Sequence, residues 1–310
     1  VQRRTASLLL DGPTPALAPT GSLLTGHASP VFAPAFARAP AQLLFAVNND
    51  LANPIGPVAD LRIADGASIS ADAGSEITLR AETSIFVDGV IDAPAGQIKL
   101  LVGDGPGVFR PEQMIWLGAG SALRANGTAL IDTANAARLR RGEVLDAGRI
   151  TVRAEQGSII GAAGASISVD GARDVLDLGA GIPVPTAVAS AAGTVELTAA
   201  ESLLYQGSLS GAAPAGSQAA AGRLIVGLDA SNRGIEPLIG VDGIPRGPHT
   251  LRVQDFAGTL PGAGAAVDSQ YASTGFVPLA ALQAGGFSSL DLFARSSAVG
   301  LNQQTGAPVP

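Results

Sequence analysis

The sequence predicts an all-β chain, a right-handed parallel β-helix (β-solenoid) with irregular loop insertions. Two observations carry this expectation. Short strand phrases return along the chain in a fixed order, and the composition suits a narrow aliphatic interior. Of 310 residues, 40 are Gly and 21 Pro, 46 % are hydrophobic, 15 % are charged and only 4 % are aromatic. The charge content is far below that of an ordinary soluble domain, and Gly is nearly twice its usual share. A chain so rich in aliphatics has the means to bury a core. Strands of three to five residues cannot stand alone. Stacked turn upon turn, each pairs with the strand above and below at a spacing of about 4.8 Å.

Residues 1–60 read as an irregular, Pro-rich lead segment docked on the rod, with Pro13, Pro15, Pro19, Pro30, Pro34 and Pro40 ahead of the apolar run Leu43-Leu44-Phe45-Ala46-Val47. The β-helix is expected over 61–310 and is expected to continue beyond the chain. Its first phrase is a turn glycine followed by alternating side chains: Gly96-Gln-Ile-Lys-Leu100, Gly148-Arg-Ile-Thr-Val152, Gly193-Thr-Val-Glu-Leu197 and Gly222-Arg-Leu-Ile-Val226. Glu76-Ile-Thr-Leu79 is a related form, and Gly286-Phe-Ser-Ser-Leu290 a degraded one. Alternation with period two marks a strand with one buried face.

A second phrase follows at a distance: Ser84-Ile-Phe-Val-Asp-Gly89, Ser158-Ile-Ile-Gly161 and Leu203-Leu-Tyr-Gln-Gly207. The third is short and made of small residues: Val90-Ile-Asp-Ala93, Ala165-Ser-Ile-Ser-Val-Asp-Gly171 and Ser208-Leu-Ser-Gly211. From Ile77 to Ile98 the unit is 21 residues, inside the range of solenoid repeats. The later spacings of 52, 45 and 29 residues are read as further coils together with inserted loops, Gly118–Gly127 being one intermediate coil. Ten to twelve coils would make a rod roughly 50–60 Å long. Loops are expected at 104–114, 172–192, 229–248 and 257–285 from their Gly, Pro and Ser content. Asn135–Arg141 is the one place where a helical turn is expected, and no amphipathic helix is seen to cap either end.

The global numbers exclude several functions. A net charge of −7 disfavours nucleic acid or an anionic membrane surface as the main partner, because both demand clustered cations. The absence of Cys removes disulfides, thiolate metal sites and Cys nucleophiles. The longest charge-free stretch, around 178–195, is broken by Gly179, Gly181, Pro183, Pro185 and Gly193 and is no membrane span. The start, Val1-Gln2-Arg3-Arg4, carries no apolar targeting segment, so an interior piece of a longer exported chain is expected.

Each candidate site has a plainer reading beside it. Six Asp-Gly pairs (Asp11, Asp65, Asp88, Asp104, Asp170 and Asp242 with the glycines that follow) offer hard oxygen ligands for calcium. None stands in the calcium nonapeptide pattern, and Asp-Gly is also ordinary turn chemistry, which is the reading adopted. Asp170, Asp174 and Asp177 beside Arg173 form the densest acidic cluster. Paired carboxylates serve glycoside cleavage, but the cluster follows directly on a strand ending at Val169, where a polar loop is ordinary, and a solvated loop is the reading adopted. His27 and His249 are far apart, and no nucleophile elbow or phosphate loop occurs. Gly103-x-Gly105-x-Gly107 lacks dinucleotide spacing. Arg138, Arg140 and Arg141 make a small basic patch, read as one solvated face. Trp116, Tyr205, Tyr271 and Phe276 are scattered in sequence. No catalytic, cofactor-binding or metal residue is therefore assigned.

The run Trp116–Leu130, then Arg140–Ile150, then Gly157–Gly171 resembles the very large filamentous haemagglutinin-like exoproteins, and Ile91–Leu100 and Gly285–Leu290 look like the same family's coil phrases. The resemblance covers roughly residues 60–300. It implies two-partner secretion from a Gram-negative bacterium through an outer-membrane β-barrel transporter, and folding outside the cell as a long β-helix. The function so implied is a structural or adhesive stalk or fibre for adhesion or biofilm, at the cell surface or secreted, with an unidentified surface receptor and self-association into fibres. Two other readings stay open: a carbohydrate-active β-helix enzyme acting on polysaccharide, and a spacer in a contact-dependent toxin delivery protein.

Overall fold

A computed structural model describes residues 33–47, 59–103, 110–132, 137, 139–179, 182–229 and 249–295, together with the backbone of short strands at 2–3, 6–10, 28–32, 300–301 and 308–309. The described chain is mostly strand, and its three large sheets are parallel throughout.

The first sheet has seven strands: Gln42–Val47, Glu76–Ala81, Gln97–Val102, Arg149–Ala154, Thr194–Ala199, Arg223–Asp229 and Ser289–Arg295. The second also has seven, from Asp60–Ile63 through Ser84–Val87, Met114–Leu117, Ser158–Gly161, Leu203–Tyr205 and Thr274–Val277 to Thr250–Val253. The third has six: Gln2–Arg3, Ser68–Ala71, Val90–Asp92, Ala122–Arg124, Ser166–Ser168 and Ser208–Ser210. From Gln42 to Ser210 the chain visits first, second and third sheet in turn, five times over.

Alternation along the first sheet turns one side of every strand inward. Its registers place Ile77, Ile98, Ile150, Val195 and Leu224 in one row and Leu79, Leu100, Val152, Leu197 and Val226 in the next. These rows meet Ile85, Ile115, Ile159 and Leu203 of the second sheet and Ile91, Leu123, Ile167 and Leu209 of the third in one continuous core. Burial of this aliphatic surface, at roughly 25 cal/mol per Å², is the main force that holds the three sheets together.

The glycine that opens the first phrase has a steric cause. Gly96, Gly148, Gly193 and Gly222 stack at one corner. A Cβ on Gly148 would stand 1.6 Å from the Gly96 carbonyl oxygen, and one on Gly193 would stand 1.9 Å from that of Gly148. The backbones approach too closely there for any side chain.

Five expectations are corrected. Among the described residues, the 52- and 45-residue spacings hold no further coils. Each is a single circuit lengthened by an antiparallel hairpin, Thr128–Asp132 with Arg141–Leu145 and Arg173–Leu178 with Val184–Ala189. The segment 118–127 is the third-sheet part of the circuit that begins at Gln97, so seven strands deep replaces ten to twelve, about 29 Å along the stack. The stretch 172–192 is mostly strand, because Asp174, Asp177 and Pro185 sit on the faces and edge of a hairpin rather than in a loop. The stretch 257–285 contains the strand Thr274–Val277 and the α-helix Leu279–Ala284, which packs on Ser208–Ser210 where a further third-sheet strand would lie. Arg141, in contrast, opens a strand and is not helical. The apolar run Leu43–Val47 forms the outermost strand of the first sheet by parallel pairing with Glu76–Ala81.

One step departs from sequence order. Thr250–Val253 pairs outside Thr274–Val277, so the later strand lies between the earlier one and Leu203–Tyr205. The intervening residues 254–273 are thereby free to cover the outer face of the second sheet.

Candidate functional site

The second-sheet strands are apolar on both sides. Outside the main core, Phe86, Met114, Ile160 and Leu204 form a second cluster with Phe256 and Phe276, against which Trp116, Leu260, Val267 and Tyr271 pack. The rings of Phe256, Tyr271 and Phe276 meet edge to face at 4.8, 5.1 and 5.9 Å between centroids, the geometry aromatic pairs favour. Two hydrogen bonds tie the covering segment down: Gln206 Nε2 donates to the Phe256 carbonyl (3.2 Å) and Ser202 Oγ to that of Tyr271 (2.9 Å). Trp116, Tyr271 and Phe276, scattered in sequence, are thus brought together in one cluster, Trp116 and Phe276 from the second sheet and Tyr271 from the strap that covers it, whereas Tyr205 belongs to the main core. The signal for this second face was present in the unbroken apolar runs Ile85-Phe86-Val87 and Leu203-Leu204-Tyr205, since a strand buried on both sides loses its alternation.

The acidic cluster divides. Asp170 accepts hydrogen bonds from Ser210 Oγ (2.5 Å) and the Ala212 amide (2.8 Å), while its own amide donates to Asn126 Oδ1 (2.8 Å). It links three successive circuits at one corner. Asp174 and Asp177 instead meet Arg140 where the two hairpins touch. Arg140 Nη2 donates to Asp174 Oδ1 at 2.5 Å, its Nε to the Val175 carbonyl at 3.0 Å, and its amide to Asp177 Oδ2 at 2.7 Å. The Val175 amide and then Arg140 hold the Asp174 carboxyl below its usual range. Arg173 points elsewhere, donating to the Ala215 carbonyl. The four residues do not form one site.

The outer face of the first sheet carries cross-strand ion pairs: Lys99 with Glu76 (2.9 Å), Arg149 with Glu196 (2.5 Å) and Arg223 with Asp291 (2.5 Å). On the third sheet, Ser70, Asp92, Arg124, Ser168 and Ser210 stand in one outward row. Desolvation raises the Asp92 carboxyl above its usual range, against the pull of Arg124. A small cleft between Arg153, Glu155, Thr198 and Asp229 has room for about one water-sized particle, and the buried Thr198 hydroxyl beside it makes no hydrogen bond.

Among the described Asp-Gly pairs, Gly66 has the positive φ of a turn (+73°), while Gly89 and Gly171 lie against the Ala67 and Ser190 carbonyl oxygens. No three His, Cys, Asp or Glu side chains among the described residues are grouped to hold a metal ion. His249 Nε2 lies 2.8 Å from the Ala200 carbonyl oxygen. His27, Arg138, Asp11, Asp104, Gly105, Gly107 and Asp242 lie outside the described residues. No described helix is long and apolar enough to cross a membrane. Comparison with protein-family models, with curated proteins and with solved structures returns no match.

Proposed function

We propose that the three parallel sheets are the walls of a right-handed parallel β-helix, and that this rod is a structural and adhesive segment of a large secreted bacterial exoprotein. The observation that carries the reading is the in-register apolar row, unbroken from Ile77 to Leu224 across five strands of the first sheet. A ladder of parallel strands around a continuous apolar interior resists bending, which is the mechanical demand on a stalk or fibre. The resemblance of 116–171 to filamentous haemagglutinin-like proteins supports the same role. It implies export through an outer-membrane β-barrel transporter and an extracellular place of action, with adhesion or biofilm as the outcome.

Electron microscopy of the native particle tests the architecture: rods or filaments are expected, and globules would overturn it. Deletion of residues 60–295 from the parent gene tests the role. Reduced surface attachment or biofilm is expected, and unchanged attachment with normal export of the remainder would refute it.

A further inference from the structure

The hairpin Arg173–Leu178 with Val184–Ala189 leaves the stack between the third-sheet strand Ser166–Ser168 and the first-sheet strand Thr194–Ala199. Its edges are therefore not places where a further circuit would pair. One edge is already taken. There the Asp177 amide donates to the Arg140 carbonyl at 2.9 Å, and the Val175 carbonyl accepts from Arg140 Nε. In an antiparallel pair, residues directly opposite either exchange both backbone bonds or turn both sets of groups away from each other. Pro185 stands opposite Asp177 and Ala187 opposite Val175. The Pro185 carbonyl and the Ala187 amide and carbonyl thus point out along the other edge. Both residues are exposed, and these backbone groups have no hydrogen-bond partner among the described residues.

The same hairpin gathers exposed apolar surface. Among the described residues nine large apolar side chains are exposed, and four stand here: Ile182 at 87 %, Val184 at 57 %, Val175 at 44 % and Leu178 at 43 %. No charged residue lies between Asp177 and Glu196. Sheet edges are commonly guarded by charged side chains, by bulges or by a cover. On this one only Pro185 serves, placed where its missing N–H breaks no bond to the neighbouring strand.

We infer that this edge binds an extended, uncharged segment of another protein, which adds as a third strand beside Val184–Ala189. The added backbone would bond to Pro185 and Ala187, with its side chains alternating between Val184 on one face and Ala187 on the other. Complementarity decides the occupant. A lipid chain would cover Ile182 and Val184 but leave the Ala187 amide and carbonyl unpaired in hydrocarbon, a cost that a strand avoids. A charged segment would find no counter-charge along 178–195. Main-chain bonds supply affinity in this mode and alternate side chains supply selectivity. The inference goes beyond the stalk reading and stands on the hairpin alone.

The test uses the whole chain and a panel of capped six-residue peptides in which valine, isoleucine or leucine alternates with threonine. Slowed hydrogen exchange at the Ala187 amide is expected as peptide is added to millimolar concentration. The same peptides N-methylated at every amide should bind about tenfold more weakly or worse, because each lost hydrogen bond leaves an exposed partner unpaired. Ala187→Pro should have a similar effect while the Leu176 and Thr186 amides, which face each other inside the hairpin, stay protected. No slowing at Ala187 with any peptide of the panel would overturn the inference. So would equal binding of methylated and unmethylated peptides, which needs no variant and shows apolar contact alone.

Two further outcomes would assign the surface elsewhere and overturn the inference equally. One is co-sedimentation with phosphatidylcholine vesicles that is lost in Ile182→Asp and unchanged in Ala187→Pro. The other is a dimer of the wild-type chain in sedimentation that Ala187→Pro abolishes. Neither bears on the stalk reading, which electron microscopy of the particle decides separately.

Discussion

The Tyr205 ring lies in register against Gly161 on the neighbouring strand of the second sheet, where a Cβ on Gly161 would stand 2.2 Å from Tyr205 Cδ2. The ring is fully buried, and its hydroxyl donates to the Ser208 carbonyl at 3.0 Å. The empty place on one strand and the largest side chain of the core on the next are two halves of one packing solution. Gly161→Ala is expected to cost about 1–3 kcal/mol by overpacking, and Tyr205→Leu in that background should recover part of the loss. Denaturant titration of both single variants and the double variant measures the coupling. Additive losses would show that the two residues pack independently.

Burial also pushes the Tyr205 hydroxyl above its ordinary range. Above the unfolded-state pKa of about 10 the unfolded chain releases a proton that the folded chain keeps, so stability falls as pH rises from there. Tyr205→Phe should remove that part of the alkaline slope in thermal unfolding followed against pH.

The hairpins are joined through Arg140, Asp174 and Asp177 at an exposed junction. Arg140→Ala is expected to leave global stability almost unchanged, since exposed ion pairs contribute little. Hydrogen exchange should nevertheless quicken at residues 174–178. The depressed Asp174 carboxyl gives the junction a pH dependence: its contribution is present above the ordinary Asp value and is lost as pH falls through the lower folded value. Protection of 174–178 that is insensitive to both the substitution and acid would contradict this account.

Asp92 has the opposite sign. Its folded pKa is raised by desolvation, so the folded state holds a proton that the unfolded state has released, and stability falls as pH climbs between the two values. Asp92→Asn should raise the melting temperature at neutral pH and have little effect in acid below the ordinary Asp range. A variant less stable than wild type at neutral pH would mean that attraction to Arg124 outweighs the desolvation.

Phe256 anchors the strap over the second sheet. Phe256→Ala removes a buried ring from the cluster with Tyr271 and Phe276, a change of about 3–5 kcal/mol in such settings. Because the main core is separate, the loss should appear as local opening. Limited proteolysis is expected to cleave within 257–267 while the sheets stay intact, and unchanged resistance there would count against the strap as an independent unit.

The recurring phrases were legible because their information is local. Gly148-Arg-Ile-Thr-Val152 states a tight corner and an inward pair, and its partners at Gly96 and Gly193 repeat it, so the three lie strand on strand. The hairpins were not legible, because Arg173–Leu178 and Val184–Ala189 pair with each other and repeat nothing else in the chain. The acidic cluster misled for a related reason. Asp170, Asp174 and Asp177 are close in sequence, but the corner after Val169 sends Asp170 into the stack and the other two out onto a hairpin.

By itself, then, the sequence determined the strand type, the parallel registers within the core and the glycine corners, because each follows from side-chain size and alternation over a few residues. Only the tertiary structure decided the depth of the stack and the lodging of Thr274–Val277 beneath Thr250–Val253. It also decided which segment covers the second apolar face of Ile160 and Leu204. Those outcomes depend on which distant surfaces fit one another, and apolar burial, being non-directional, does not encode that choice in any short stretch of chain.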